Sequence, residues 1–233
     1  MQPLLIFDYD GTLHETMRIY KPAIAAVVDW LREECGQTVE LPSDARISSW
    51  LGMNTADMWK DFMPELDDAL KFKAGRRVGD HMLQNLQDGL GRWYHGAVEM
   101  LDTLKQKGFA MAVLSNCGNS YAQAHWDAFH MERWFTAFFA CETWNNAPKD
   151  EILLDIQKDL PGALRKSPVV SSDWGAAADS EICAVIGDRS SDLHGAQAAG
   201  VPFIGCLYGY GSREELDGST HFAERPEEIL RYL

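Results

Sequence analysis

Positive charge is scarce in this chain: 21 Lys and Arg stand against 35 Asp and Glu, a formal net charge of −14 over 233 residues. A field of that sign repels nucleic acid and anionic membrane surfaces, so neither is expected as a partner. Cysteine is sparse too. Cys35, Cys117, Cys141, Cys183 and Cys206 are odd in number, widely spaced and without a C-x-x-C pair, the pattern of thiols in a reducing compartment. No apolar run reaches bilayer length, and Met-Gln-Pro at the start has no basic flank, so cytoplasmic residence is the expectation. Internal repeats and low-complexity tracts are also lacking. What remains is an ordinary globular composition, 46% hydrophobic and 24% charged, long enough to bury a sizeable interior.

Short continuous apolar runs recur at Leu4 to Phe7, Ala110 to Leu114, Phe138 to Cys141, Ala184 to Ile186 and Pro202 to Leu207. Each is followed by polar or glycine residues, as buried parallel strands are. Helical patterns lie between them: Val98, Leu101 and Leu104 share one face, and Asp192 to Ala199 is closed by Gly200. The alternation predicts an α/β fold, a doubly wound parallel sheet with right-handed crossovers and ligands beyond the carboxyl ends of its strands. From about Thr16 to Tyr94 the pattern changes. Ile24, Val27, Val28 and Leu31 fall on one helical face and no strand run appears, which predicts an all-helical cap inserted after the first strand. Residues 1–15 and 96–233 are expected to form the α/β core and 16–95 the cap, hinged near Glu15 and His95. Pro161 to Asp179 has weak periodicity and is expected to be a long surface connection.

Chemistry concentrates at the strand ends. In Asp8-Tyr9-Asp10-Gly11-Thr12, two carboxylates one residue apart can divide labour. An ionised Asp8 can attack phosphorus, while Asp10 protonates the leaving oxygen and later activates water. A nearby dication would hold Asp8 charged and neutralise phosphoryl oxygens. The Asp8 to Gly11 part of that segment also reads as a strand-ending turn whose aspartates bond loop backbone. Ser115-Asn116 follows the second run, Lys149 opens a predicted helix, and Asp188 and Asp192 follow the Ala184 to Ile186 run four residues apart. Ser115 offers a hydroxyl to a phosphoryl oxygen and Lys149 a fixed cation. Of the acidic pair, one could bind metal while the other holds the lysine; helix capping is the alternative.

Taken in order, Asp8-x-Asp10-Gly11-Thr12-Leu13, Ser115-Asn116, Lys149 and Gly187-Asp188-x-x-x-Asp192 resemble the four motifs of the haloacid dehalogenase superfamily, over Leu4 to about Gly211. The resemblance implies a Rossmann-like core and a Mg²⁺-dependent phosphatase acting on a small phosphorylated metabolite through an aspartyl-phosphate. It makes Asp8 the nucleophile, Asp10 the general acid and base, and Ser115, Asn116 and Lys149 the phosphate holders. Magnesium would be bound by the Asp8 carboxylate, the Asp10 carbonyl and Asp188, with Asp192 orienting Lys149 or a metal-bound water. The helical insert, Ala196-Gln197-Ala198-Ala199-Gly200 and Leu207-Tyr208-Gly209-Tyr210-Gly211 are similar to phosphoglycolate-phosphatase-like members. The chain departs from the family pattern at two places near the lysine. Asp150 stands where relatives have proline after the lysine, and the stretch from Lys149 to Asp188 is long, with the insertion expected in Pro161 to Asp179. A sugar phosphomutase, a phosphonate hydrolase and a non-catalytic phosphometabolite-binding protein are the rival readings. His14, Arg76, Arg77, Cys117 and the eight tryptophans are expected to serve packing or solvation only.

Overall fold

The computed structural model describes residues 1–233. Seven strands, β1 (Pro3–Phe7), β2 (Ala110–Ser115), β3 (Ala137–Ala140), β4 (Val169–Val170), β5 (Glu181–Gly187), β6 (Phe203–Cys206) and β7 (His221–Ala223), form one sheet. Their order is β4-β3-β2-β1-β5-β6-β7, and every neighbouring pair is parallel except β3 with β4. The chain winds from β1 outward to β4 and then returns to the opposite side of β1 with β5. The switch point therefore lies between β1 and β5, where the open crevice of a doubly wound sheet falls. All five strands read from apolar runs are present. The two edge strands were not expected, because two or three residues carry no periodicity.

The helices, in chain order, are α1 (Met17–Glu33), α2 (Asp44–Ser48), α3 (Thr55–Phe62), α4 (Asp68–Gln87), α5 (Ala97–Gln106), α6 (Asn119–Phe129), α7 (Lys149–Lys158), α8 (Leu160–Lys166) and α9 (Ser190–Ala199). Side chains alternate along β1, so Leu5 and Phe7 join the α5 and α6 side with Leu101, Leu104 and Trp126, whereas Leu4 and Ile6 join the α7 and α9 side with Ile152, Leu153 and Leu193. Burial on both faces explains why the strands read as unbroken apolar runs. Each such fully buried side chain contributes about 1.5–3 kcal/mol from area removed from water. Gly200, at φ +68°, ends α9 in the left-handed conformation that glycine adopts without a Cβ penalty.

Contacts divide the chain into two compact units, Met1–His14 with Trp93–Leu233, and Glu15–Arg92. The second holds α1 to α4 and no strand. Ile24, Val27, Val28 and Leu31 of α1 are buried, as are Ala74, Val78 and Leu86 of α4, and the Asn85 amide donates to the Ile19 carbonyl at 2.9 Å. Arg77 lies over the Trp30 ring at 4.4 Å, a cation–π contact rather than a merely solvated face.

The expectation of a loose connection over Pro161 to Asp179 is corrected. Asp159 caps α8 by accepting from the Gly162 N–H at 2.9 Å, Pro161 sits in the first turn, where no N–H is needed, and β4 then pairs with β3. Val169, Ser171 and Ala177 are buried. Elements this short leave no periodic trace in sequence.

Candidate active site

The loop after β1 is built to present side chains. The Asp8 N–H donates to the Ile186 carbonyl at 2.8 Å, and the Tyr9 carbonyl accepts from Leu13 and His14 at 2.9 and 3.0 Å. Gly11 makes the turn at φ +95°. Asp8 ends in the buried interior and Asp10 half-buried beside it.

Asp188, wholly buried at the end of β5, accepts from the Tyr210 N–H at 2.6 Å and from Thr12 Oγ1 at 3.3 Å. A Cβ at Gly11 or at Gly209 would overlap its carboxylate, and the Tyr208 hydroxyl donates to the Thr12 carbonyl at 2.8 Å. The Leu207 to Gly211 segment, which the sequence offers only as a subgroup mark, is thus the strap that fixes Asp188.

Lys149 is the first residue of α7, a place where the helix dipole disfavours a cation. Its ammonium nonetheless lies 2.5 Å from Asp8 Oδ1 and 2.6 Å from Asp192 Oδ1, with only 5% of the residue exposed. Burial alone would push this amine down, but Asp192 and Asp8 outweigh it and hold its pKa above the ordinary lysine value. Asp192 is in the first turn of α9 and also accepts from the Arg189 N–H at 3.1 Å.

Oxygens of Asp8, Asp188 and Asp192 lie within 4.8 Å of one another. Burial, then repulsion from Asp192, raises Asp8 well above the usual carboxylate range although Lys149 opposes the shift. The same two causes, in the same order, push Asp188 up to about 7. Three buried carboxylates share one ammonium, a set short of positive charge. All three offer hard oxygen donors, with no imidazole or thiolate among them, as Mg²⁺ or Ca²⁺ prefers. The donor chemistry, the charge deficit and the glycine cradle around Asp188 all fit a divalent cation.

Ser115, buried at the end of β2, donates to Asp10 Oδ2 at 3.4 Å. Asn116 is half-buried, and its side-chain oxygen accepts from Cys141 Sγ at 3.1 Å. Hence Asp8, Lys149, Asp192 and Asp188 converge in one group, Asp10 and Ser115 in an adjoining one, and the Asn116 side-chain oxygen is directed to Cys141. The Cys117 thiol is pushed up by burial and by Asp10, which keeps it protonated and inert.

Three residues around Asp10 were overlooked or set aside in the sequence. The Tyr121 hydroxyl donates to Asp10 Oδ1 at 2.7 Å. His14, expected to serve packing or solvation only, is wholly buried, with Nδ1 3.8 Å from the same oxygen and its ring stacked on Tyr9 at 5.3 Å. His125 Nδ1 lies 2.7 Å from the Tyr9 hydroxyl, while its buried Nε2 has no hydrogen-bond partner. Burial, then His14, lowers the His125 pKa well below 6.5 against the pull of Asp10, so this ring is neutral. The available signal was Tyr121, His125 and Phe129 at i, i+4 and i+8 on the helix that follows Ser115-Asn116.

Residues 5–206 match the profile of the family described as haloacid dehalogenase-like hydrolases. A 5'-nucleotidase of Pseudomonas aeruginosa is 27% identical over 226 residues, covering 94% of this chain and 90% of its own. A phosphoglycolate phosphatase of Pectobacterium atrosepticum is 26% identical over 91% of this chain and 83% of its own. A Haemophilus somnus crystal structure described as a predicted phosphoglycolate phosphatase superposes with TM-score 0.74 at 19% identity, over 98% of this chain and 96% of its own. No helix is long and apolar enough to cross a membrane.

Proposed function

Given that the chain belongs to the haloacid dehalogenase-like hydrolase family, we propose that it is a magnesium-dependent phosphatase of small phosphate monoesters working through an aspartyl-phosphate on Asp8. One observation carries the reading: Asp8, at the switch point of the sheet, is clamped by Lys149 within a buried, cation-deficient carboxylate group, with a second carboxylate, Asp10, two residues away. A nucleophile, a fixed cation and a proton carrier are the parts that phosphoryl transfer needs.

In this reading the Asp8 carboxylate attacks phosphorus as the ester P–O bond breaks, and Asp10 gives its proton to the departing oxygen, releasing an alcohol. Asp10, now ionised, takes a proton from water; the resulting hydroxide attacks the acyl phosphate, and inorganic phosphate leaves with Asp8 restored. Ser115 and Lys149 hold phosphoryl oxygens, and Asp192 keeps Lys149 aligned. Magnesium would be held by the Asp8 carboxylate, the Asp10 carbonyl and Asp188, and would supply charge neutralisation at the phosphoryl group. Lys149 together with a bound divalent cation would cancel the three carboxylates locally, so that the site itself would not add to the repulsion that the net −14 of the chain exerts on an anionic ester at long range.

The names of the relatives suggest the first substrates to try: 2-phosphoglycolate and nucleoside 5'-monophosphates. Phosphate release is measured with Mg²⁺ and with chelator, for the native chain and for Asp8→Asn. The expected outcome is metal-dependent release that Asp8→Asn abolishes. An isomerised sugar phosphate with no free phosphate would instead make the chain a mutase. Undiminished release by Asp8→Asn would sink the covalent route.

A further inference from the structure

Asp10 is the one carboxylate of the group that is partly exposed, at 20% of its side chain, and its two oxygens face different partners. Oδ1 accepts from the Tyr121 hydroxyl at 2.7 Å and has His14 Nδ1 3.8 Å away; Oδ2 faces Ser115 Oγ at 3.4 Å. Ser115 is the side chain that the proposed mechanism assigns to the phosphoryl group, so the substrate side of Asp10 is the Oδ2 side.

We infer that Tyr121 is a positioning residue that commits Oδ1 of Asp10 as a hydrogen-bond acceptor, so that the proton Asp10 delivers to the leaving group is carried on Oδ2. This rests on the acid and base role of Asp10 proposed above and adds the oxygen that performs it and the side chain that selects it.

Three observations support the assignment. The Tyr121 hydroxyl lies 2.7 Å from Oδ1 and, as a phenol, has a proton to donate there. The Tyr121 ring cannot swing freely: it packs on His125 at 4.0 Å between centroids and meets the Tyr9 ring edge-on at 6.3 Å and 79°. Those two supports are themselves tied, the Tyr9 hydroxyl lying 2.7 Å from His125 Nδ1, and Tyr9 is anchored between Asp8 and Asp10 in the chain. A phenol held in this way makes a short bond to a carboxylate in a fixed direction, which is how a supporting side chain preserves a catalytic geometry. With Oδ1 accepting, a protonated Asp10 has its O–H on Oδ2. In the first half-reaction that O–H bond breaks as the alcohol O–H forms, and in the second half Oδ2 recovers a proton from water.

Tyr121→Phe tests this, since it keeps the ring and removes only the donor. Two esters are compared by kcat/KM, which reports the steps through cleavage of the ester bond: an alkyl monoester such as 2-phosphoglycolate, whose alkoxide needs a proton to leave, and p-nitrophenyl phosphate, whose nitrophenolate does not. The expected loss is about 10- to 100-fold on the alkyl ester, the worth of one hydrogen bond to a charged group, and at least about tenfold less on the aryl ester. Damage to packing would lower both esters alike. Equal losses, or an undiminished alkyl rate, would overturn the role of Tyr121. Asp10→Asn is run beside it as the control for the mechanism. A selective alkyl loss in Asp10→Asn with none in Tyr121→Phe removes the inference alone, whereas no selective loss in Asp10→Asn removes the acid role on which it rests.

Discussion

Lys149→Met places an apolar stem of similar length in the space of the lysine and takes away the only ammonium bonded to Asp8 and Asp192. The magnitude follows from the count of charges. Native protein buries three carboxylates around one ammonium; the variant buries three around none. Breaking one side of a buried ion pair costs about 3–5 kcal/mol, because the stranded charge keeps its desolvation penalty without its partner. For a unit of this size that corresponds to a fall of roughly 6–20 °C in Tm, at about 2–4 °C per kcal/mol. The assay is urea unfolding and calorimetry in EDTA, so that no bound cation substitutes for the missing charge. The double variant Lys149→Met with Asp192→Asn leaves two carboxylates instead of three and should recover at least about 1 kcal/mol of the loss. A single-variant deficit below about 1 kcal/mol, or a double variant as unstable as the sum of its parts, would refute the electrostatic account of this cluster.

Gly11→Ala forces an L side chain to φ +95° and into the Asp188 carboxylate, so it should cost about 1–3 kcal/mol in backbone strain and weaken Mg²⁺ binding measured by titration calorimetry; unchanged affinity would argue against the cradle. His125, surrounded by Tyr9, His14, Tyr121 and the charge of Asp10, has a folded pKa below its unfolded value near 6.5, so it is neutral in the fold while the unfolded chain takes up a proton. Its contribution to stability is therefore present above pH about 6.5 and lost as pH falls toward the folded pKa, at up to about 1.4 kcal/mol per pH unit. His125→Phe should flatten the Tm profile over that window, and an identical profile would count against a neutral buried imidazole. Phe138→Ala, at a wholly buried site, should lose about 3–5 kcal/mol in chemical denaturation, while Phe72→Ser, at a position 70% exposed, should stay within about 0.5 kcal/mol; comparable losses would contradict the burial described.

The legible part of the fold was the part with strong periodicity. Leu4 to Phe7, Ala110 to Leu114 and Ala184 to Ile186 announce β1, β2 and β5 because both faces of those strands are covered by helices. Val169–Val170 and His221–Ala223 were not legible, since an edge strand of two or three residues becomes a strand only by pairing with β3 or β6. Around the site, Asp8, Lys149, Asp188 and Asp192 could be named from motif order alone. Tyr121 could not: a tyrosine in the first turn of a helix looks like any packing residue until its hydroxyl is seen against Asp10. His14 was read as a packing or solvation residue, and its place next to a predicted hinge gave no sign of its full burial and its stacking on Tyr9.

Sequence by itself determined that apolar strands alternate with helices and that the reactive side chains sit just past the strand ends. Hydrophobic runs and right-handed crossovers allow few other arrangements, and they bring those ends to one rim. Only the tertiary structure decided which donor meets which oxygen: Lys149 on Oδ1 of Asp8 across 141 positions, Tyr121 on Oδ1 of Asp10 across 111, the Tyr210 N–H on Oδ2 of Asp188. The physical reason is range. Periodicity reports which face of an element is buried, whereas a hydrogen bond depends on rotamers and loop paths settled to within an ångström by residues far away in the chain.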